Sequence, residues 1–472
     1  MGVAVSAWQL AKAVSRTGQL GVVAGTAIDT VLIRRLQSGD PGGHIRRALS
    51  EFPLPEMAKR IVNRYFLPNG KAKDAPYPSI TLLTEAPTQA QLELIVVANF
   101  TEVFLAKEDH DGLVGINYLE KVQLPTLPSL FGAMLAGVDY VLMGAGIPTA
   151  IPGIIDRLCE GKSVELPLKV EDADRDERFF AKFDPNEFTE GQIPWLRRPK
   201  FLPIVASATL ATMLKRKSSG AVDGFVVEGP TAGGHNAPPR GKTQYNDRGE
   251  PIYGRRDIVD LQAMQALGLP FWLAGSYGSP EQVTHALDAG AAGVQVGTAF
   301  AFCDESGIEA DIRHEVIQSC KEGTLDVRTD PLASPAAFPF KVLSLLGSLS
   351  DSMTYQLRKR RCDLGFLRQA FKRADGTLGW RCPAEPVASY VKKGGTEGTD
   401  GRKCICNGLM ANIGLGQVDR DGQHELPLIT CGDDVKNLLQ FLKSPDALSY
   451  SAREVVSYLL SCVAKKTSAA PC

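Results

Sequence analysis

The sequence has little of what marks a nucleic-acid-binding or membrane protein. Its 52 Lys and Arg and 53 Asp and Glu residues give a formal net charge of -1, which offers no positive surface to nucleic acid or to an acidic membrane. No apolar run approaches the roughly 20 residues that cross a bilayer. The first residues, "MGVAVSAWQLAKAVS", lack the basic start and long apolar core of a signal peptide. We therefore expect a cytoplasmic globular protein that binds neither nucleic acid nor membrane.

Histidine is scarce and cysteine is dilute. The six histidines show no partners at metal-ligand spacing, and ten cysteines in 472 residues are too few for a disulfide scaffold. Downstream of Cys362, however, one stretch holds Cys382, Cys404, Cys406 and Cys431. Three or four thiolates from separate loops could bind zinc or an iron–sulfur cluster. The alternative is a set of inert buried thiols.

Up to about residue 310, short apolar runs alternate with glycine-bearing loops and amphipathic segments, a rhythm typical of β/α units around a parallel sheet. Several of the runs end in Gly, Ser, Asn or Glu, the small or polar groups that line a barrel mouth. We predict an α/β fold, a (β/α)8 TIM barrel over residues 1–310. The eight candidate strands lie at 20–25, 80–85, 113–119, 140–146, 202–207, 224–229, 270–276 and 293–299.

Two regions break the rhythm. Residues 165–200 are charged, contain proline and show no sustained periodicity, which indicates an insertion or β-ribbon ahead of the fifth strand. After residue 310 helical patterns take over. We predict that residues 311–472 form a lid or substrate-side segment followed by a mostly helical, cysteine-containing extension.

Two glycine loops follow the last two candidate strands. One offers Gly275, Ser276 and Gly278, and the other offers Gly297 and Thr298. In β/α barrels these loops, next to a helix amino end, form the standard phosphate site. Either cluster alone could be a tight turn, but the two together favour phosphate.

A third pattern is "VVEGPTAGGHNAPPRG" at 226–241, where a glycine pair precedes a histidine. In their order and spacing, "GGH", "AGSYGS" and "GAAGVQVGTAF" resemble the nitronate monooxygenase (2-nitropropane dioxygenase-like) family of FMN-dependent barrels. Flavin-dependent enoyl-ACP reductases share these motifs. The resemblance covers about residues 1–345. Family members usually carry a proline-containing first strand just before the equivalent of "MGVAVS", the point at which this sequence begins. Whether that strand is missing from this chain is left open.

The resemblance implies FMN as cofactor and a role for each matching residue. It assigns the FMN phosphate to the two glycine loops just described. His235 would be the catalytic residue, beside the reacting end of the flavin, where an imidazole can orient a substrate oxygen or exchange a proton. The residues that it places near the flavin ring are Asn117, Gly144, Ala145, Gly233 and Gly234.

Substrate contacts are expected from two further segments. Arg240 and Lys242 follow His235 and could clamp an anionic substrate, or be solvated loop charges. Phe338 and Phe340 fall where relatives build a lid over the flavin, although they could equally seal the barrel edge.

We therefore expect an FMN-dependent oxidoreductase that oxidises alkyl nitronates with O2. One alternative is an NAD(P)H-dependent enoyl-thioester (enoyl-ACP) reductase of fatty-acid or polyketide synthesis. Another is a flavin or cluster protein that serves electron transfer or binding. The sequence leaves open the physiological substrate, the electron donor and whether the chain forms a homo-oligomer.

Overall fold

The first part of the fold alternates helices with parallel strands. A computed structural model describes residues 2–463 of the chain. Besides a short 3-10 turn at Pro41–Gly43, the elements are α1 (Trp8–Ser15), β1 (Gly21–Ala24), α2 (Ile28–Gln37), α3 (His44–Ser50), α4 (Pro55–Tyr65), α5 (Gln89–Lys107), β2 (Val114–Leu119), α6 (Thr126–Leu135), β3 (Tyr140–Gly144) and α7 (Ile151–Cys159).

The stretch predicted as an insertion contains a short antiparallel ribbon. Its elements are β4 (Val164–Pro167), β5 (Val170–Glu171), β6 (Phe180–Phe183) and α8 (Pro185–Phe188). β4 pairs with β6. The rings of Phe183 and Phe188 pack against Phe131 of α6, with ring centres 5.3 and 5.9 Å away. This aromatic contact anchors the ribbon to the main body.

The parallel sheet then continues in chain order. The next elements are β7 (Lys200–Val205), α9 (Ala208–Lys217), β8 (Phe225–Glu228), a 3-10 turn at Arg255–Asp257, α10 (Leu261–Gln265), β9 (Phe271–Ala274), α11 (Pro280–Asp288), β10 (Gly293–Gln295) and α12 (Thr298–Ala301). Together they complete a seven-stranded sheet of order β1-β2-β3-β7-β8-β9-β10, in which every neighbouring pair is parallel.

The sheet is curled, as shown by the fact that both of its edge strands reach one cavity. Thr26, just after β1, and Gln295, at the end of β10, line the same small space. The start of the chain lies between the edges. The Ala24 N–H donates to the carbonyl of Ser6 at 2.8 Å, and the Gly307 N–H donates to the carbonyl of Val5 at 2.9 Å. Within residues 2–463 the parallel sheet has seven strands, so the complete eight-stranded barrel is not confirmed.

The prediction of a strand at 80–85 was wrong. This segment forms no strand and lines a large cavity instead. Side chains from other segments donate hydrogen bonds to its backbone carbonyls. The Gln91 amide donates to the carbonyl of Thr81 at 3.0 Å, and the Arg368 guanidinium donates to the carbonyl of Leu83 at 2.6 Å.

The C-terminal part is less helical than predicted, because it contains two antiparallel hairpins. β11 (Asp326–Asp330) pairs with β12 (Phe340–Ser344), and β13 (Gln369–Lys372) pairs with β14 (Leu378–Arg381) and also, in parallel, with β5 of the ribbon. The elements are α13 (Ala310–Glu322), β11 (Asp326–Asp330), β12 (Phe340–Ser344), α14 (Ser352–Leu357), β13 (Gln369–Lys372), β14 (Leu378–Arg381), α15 (Val387–Lys392), α16 (Ile405–Ala411), a 3-10 segment at Asp433–Phe441 and α17 (Ala452–Leu459).

The last 40 described residues share a core with the first helix. Leu10 and Val14 of α1 pack in one buried cluster with Leu438 and with Val455 of α17. The 3-10 segment also reaches the sheet, since the Gln440 amide donates to the carbonyl of Gly278 at 2.8 Å. None of the helices within residues 2–463 combines the length and hydrophobicity needed to cross a bilayer.

This packing predicts a sharp contrast between two neighbouring leucines. Leu438 is 1% exposed and Leu439 is 38% exposed. We expect Leu438→Ala to lower the free energy of unfolding by about 2–5 kcal/mol, because it leaves a cavity in the shared core. The matched control Leu439→Ala should change it by less than about 0.5 kcal/mol. Urea denaturation monitored by circular dichroism measures both, and equal effects would show that the 3-10 segment is not part of the core.

Candidate active site

One cavity gathers eight of the residues predicted from the sequence. It lies at the carboxyl ends of the parallel strands and has a volume of about 90 Å³. Because parallel strands all end on the same side of the sheet, residues far apart in sequence meet there. The eight predicted residues in its lining are Asn117, Gly144, Ala145, Gly233, Gly234, His235, Phe340 and Cys406.

The glycine pair before His235 is required by local geometry. A Cβ on Gly233 would lie 2.7 Å from the carbonyl carbon of Cys431, so the backbone of the C-terminal segment passes directly against it. Gly234 has a φ of 81°, in the left-handed region that favours glycine. The group that approaches Gly233 closely is therefore the chain itself.

His235 is held by the segment between β11 and β12. Its Nε2 lies 2.7 Å from the hydroxyl of the buried Ser334, which also accepts from the Ala336 N–H at 3.1 Å. A Ser334 hydroxyl that donates to Nε2 satisfies its donor and places the imidazole proton on Nδ1. The Phe340 and Phe338 rings stand edge-on to the imidazole, with ring centres 4.9 and 6.5 Å away.

The imidazole is neutral at physiological pH. Burial, and next the positive charge of Lys121, lower the pKa of His235 to about 3. The ring remains partly accessible because one side faces the cavity. Lys121 lies over the Phe338 ring, with Nζ 3.2 Å from the ring centre, and donates to the carbonyl of Ala336 at 2.7 Å. Burial lowers the pKa of Lys121 to about 8.

Three site residues were missed by the sequence predictions. Glu228 ends β8 and lines the cavity, and burial raises the pKa of its carboxyl to about 7. The sequence feature that could have identified Glu228 is its position at the end of a strand. Lys121 likewise lies shortly after the end of β2. Ser334 has no local signal, because it meets His235 across 99 residues of sequence.

The two predicted phosphate loops meet at one acidic side chain. Gly275 and Ser276 follow β9 with φ angles of 97° and 59°. Asp434 lies against both loops: its Oδ2 is 3.1 Å from where a Cβ on Gly278 would be, and its carboxylate bonds to the Thr298 side chain. Thr298 also accepts from the Gly432 N–H at 2.9 Å.

The corner between the two glycine loops has open space and a buried polar atom without a hydrogen-bond partner within residues 2–463. Burial raises the pKa of Asp434, and its Oδ1 is buried without a hydrogen-bond partner among the described residues. A Cβ on Gly297 would meet nothing within 4 Å, so that loop has open space beside it.

The predicted substrate residues divide into two groups. Phe338 and Phe340 pack beside His235, as described. Arg240 is exposed, and its guanidinium donates to the carbonyl of Ala206 at 2.6 Å. Lys242 is exposed on the same loop.

The predicted set of four metal-binding cysteines is not brought together. Cys431 is buried near Gly233 in the core shared with α1, whereas Cys382, Cys404 and Cys406 pack with Cys362. The inclusion of Cys431 was therefore wrong, because its segment turns back to the sheet. Among residues 2–463 no group of three or more His, Cys, Asp or Glu side chains has the arrangement of a ready metal site.

A second, larger cavity of about 760 Å³ adjoins the first. Phe366 and Leu367 line both. The ribbon, α5 and the second hairpin supply much of its wall, which includes Leu94, Leu168 and Trp380. The large cavity and the His235 cavity are therefore separated by a thin apolar layer.

The electrostatics of His235 predict the effect of removing one cation. We expect Lys121→Met to raise the pKa of His235 from about 3, because the imidazolium would no longer face a positive charge. It should stay below the ordinary value of about 6.5 because burial is the larger cause. Histidine-ring NMR titration measures this, with the exposed Lys242→Met as control. An unchanged pKa would show that Lys121 does not act on the ring.

Comparison with known proteins finds a family match in the segment that contains His235. Residues 190–334 match the family model for nitronate monooxygenase. A nitronate monooxygenase of Pseudomonas aeruginosa is 29% identical over 183 residues, which are 38% of this chain and 49% of that protein. A probable nitronate monooxygenase of Staphylococcus saprophyticus is 27% identical over 129 residues, 27% of this chain and 35% of that protein. The chain thus spans half or less of the curated relatives that it matches.

Among solved structures, nitroalkane oxidase from Streptomyces ansochromogenes aligns with a TM-score of 0.45 at 16% identity, covering 99% of this chain and 95% of that one. At so low a score, the description of the fold rests on the strand order alone. The segment matched by the family model contains Glu228, His235, both glycine loops and Ser334. Over residues 190–334, this chain is similar to the nitronate monooxygenase family.

Proposed function

We propose that this chain is an FMN-dependent oxidoreductase that oxidises alkyl nitronates with O2. The observation that carries the proposal is the neutral imidazole of His235 in a cavity formed by strand ends, inside the segment that matches the family. The names of the two curated relatives support the substrate class.

The residues present fit a flavin ring at the His235 cavity. Gly144, Ala145 and Gly234 keep that side of the wall free of bulk, and Asn117 offers an amide. The cavity measures about 90 Å³, less than the roughly 300–1,000 Å³ of typical ligand pockets. Binding must therefore move residues that close the cavity, which we call the cover: Phe366, Leu367, Ile405, Cys406 and Leu409.

The phosphate corner fits if Asp434 is protonated. The two glycine loops supply main-chain N–H groups, and Gly297 leaves open space. An ionised Asp434 would repel a phosphate, but burial raises the pKa of this carboxyl. A protonated Asp434 could instead donate a hydrogen bond to a phosphate oxygen.

The residues of the chain then have separable tasks. A bound flavin would supply the transfer of electrons from the substrate to O2. His235, with its proton on Nδ1, would donate a hydrogen bond to a nitronate oxygen. The positive charge of Lys121, which disfavours the imidazolium, favours an anionic substrate in the same place. The Phe338 and Phe340 rings hold the imidazole and limit the entry of water.

The proposal predicts that His235 variants keep FMN but lose turnover. Acid extraction of the wild type should release FMN and no FAD. We expect His235→Ala to lower nitronate turnover by about 100- to 1,000-fold, as for loss of one preorganised hydrogen-bond donor. Gln, which retains a donor, should keep more activity than Ala if His235 orients an already ionised nitronate. Stopped-flow reduction of the bound flavin measures this, and unchanged rates in His235→Ala would remove His235 from the mechanism.

The large cavity favours a second candidate, the NAD(P)H-dependent enoyl-thioester reductase. A space of about 760 Å³ that adjoins the His235 cavity exceeds what a small nitronate needs, and the part of its wall formed by Leu94, Leu168 and Trp380 could hold an acyl chain. Rapid bleaching of the bound flavin by NADH or NADPH, with turnover of an enoyl thioester, would support this candidate. Bleaching by nitronate alone would support the first.

The Asp434 carboxyl predicts a pH dependence of cofactor retention. Its ionisation on raising the pH adds a negative charge beside the predicted phosphate site, so FMN affinity should fall as pH rises through its elevated pKa. Asp434→Asn should abolish this fall and bind FMN at least as tightly at high pH. Fluorescence titration with FMN from pH 5 to 9 measures it, with the neighbouring Asp433→Asn as control. An identical pH profile in Asp434→Asn would contradict the assignment of the phosphate site.

A further inference from the structure

Four cysteines from separate parts of the C-terminal region surround one small void. Cys382 and Cys404 are buried in a cluster against which Cys362 and Cys406 pack. All four line a void of about 10 Å³. Among the nine described cysteines, all of them free, Cys303, Cys320 and Cys431 lie instead in the core shared with α1. The convergence of four thiols is thus specific to this part of the described chain.

The backbone that carries these thiols is fixed by hydrogen bonds. Cys382 follows β14, and its N–H donates to the Glu385 carboxylate at 3.2 Å. Cys404 immediately precedes α16, and its N–H donates to the Tyr355 hydroxyl at 3.0 Å. Ligands that start from fixed backbone positions lose little entropy when they bind a metal.

The thiols already interact with one another and with nearby cations. The thiols of Cys362 and Cys382 lie within hydrogen-bond distance of each other. Arg368 lies close enough to interact with the charges of both, and Arg358 does so with Cys404. Four thiolates around a divalent ion carry a net charge of about -2. Arg368 offsets part of this charge, whereas the Arg358 guanidinium is already paired with the Glu425 carboxylate at 2.7 Å.

We propose that Cys362, Cys382, Cys404 and Cys406 bind a metal centre through four thiolates. The two species with this ligand chemistry are a single zinc ion and an iron–sulfur cluster. Binding replaces the thiol protons, which are released to solvent. In the thiol form the sulfur atoms do not have the arrangement of a ready metal site, and Cys362 is engaged with Cys382. Rotation about χ1 on deprotonation would turn the sulfur atoms toward the shared void.

Such a centre would hold the cover of the His235 cavity in place. Cys406 and Leu367 line both the void and that cavity. The four ligands would tie together the loop before β13, the end of β14 and the start of α16. Loss of the metal should therefore loosen the cover first and leave the parallel sheet intact. The inference does not depend on the proposed nitronate activity.

The test is metal analysis of the full-length protein purified anaerobically. We expect about one zinc ion per chain, or about two to four iron ions with matching acid-labile sulfide and a visible absorption band. The metal content of the double variant Cys404→Ser/Cys406→Ser should be at least about tenfold lower than that of the wild type. Cys431→Ser, which alters a buried cysteine outside the set, should retain it. Wild type with neither zinc nor iron, or equal metal in the double variant, would overturn the proposal.

A second measurement remains decisive if the double variant does not fold. Wild type is alkylated before and after treatment with a chelator, and the modified cysteines are identified by mass spectrometry. Metal should protect Cys362, Cys382, Cys404 and Cys406 together, and chelation should expose them together. Protection of these cysteines that chelation leaves unchanged, or a Cys362–Cys382 disulfide in the protein as purified anaerobically, would overturn the proposal. Neither readout involves flavin or turnover, so its failure is distinguishable from failure of the proposed function.

Discussion

The docking of one β-hairpin onto a short turn governs the geometry of the site. The Lys341 N–H donates to the carbonyl of Gly234 at 2.9 Å, and the Asn236 N–H donates to the carbonyl of Pro339, also at 2.9 Å. These two bonds bracket His235, whose ring is held by Ser334 from the same hairpin region. Without this contact the imidazole would hang from a glycine-rich loop with no fixed direction. The hairpin is therefore part of the site as well as its neighbour.

The same docking sets the electrostatics of the cavity. Phe338 and Phe340 exclude water from one side of the imidazole, and Phe338 carries Lys121 on its face. Burial and the nearby cation lower the pKa of the His235 imidazole, so the ring stays neutral. Burial raises the pKa of the Glu228 carboxyl, which also favours its neutral form. The cavity thus contains two groups that can hold a proton without carrying a charge.

Sequence reasoning located most of the strands and the strand-end residues because their signals are local. Seven of the eight proposed strands are present, and Asn117, Gly144 and His235 line one cavity, since a β/α rhythm fixes where strand ends meet. Residues 80–85 misled because an apolar run predicts burial but not a hydrogen-bonding partner. Ser334 could not be found, because no local pattern encodes a contact across 99 residues. The predicted cysteine set included Cys431, whereas the structure places Cys362 beside the other three. The reason is the same, because spacing along the chain does not say which loop turns back to the sheet.

The core shared by the two ends of the chain has a consequence for synthesis. α1 ends at Ser15 and α17 begins at Ala452, yet Leu10 and Val14 are buried against Val455 and Leu459. On the ribosome the first helix emerges long before its packing partners exist, so its apolar face must wait in contact with water, a chaperone or the growing sheet. The packing of α1 cannot be completed until α17 has been synthesised, and a chain that stalls before α17 leaves α1 without this partner.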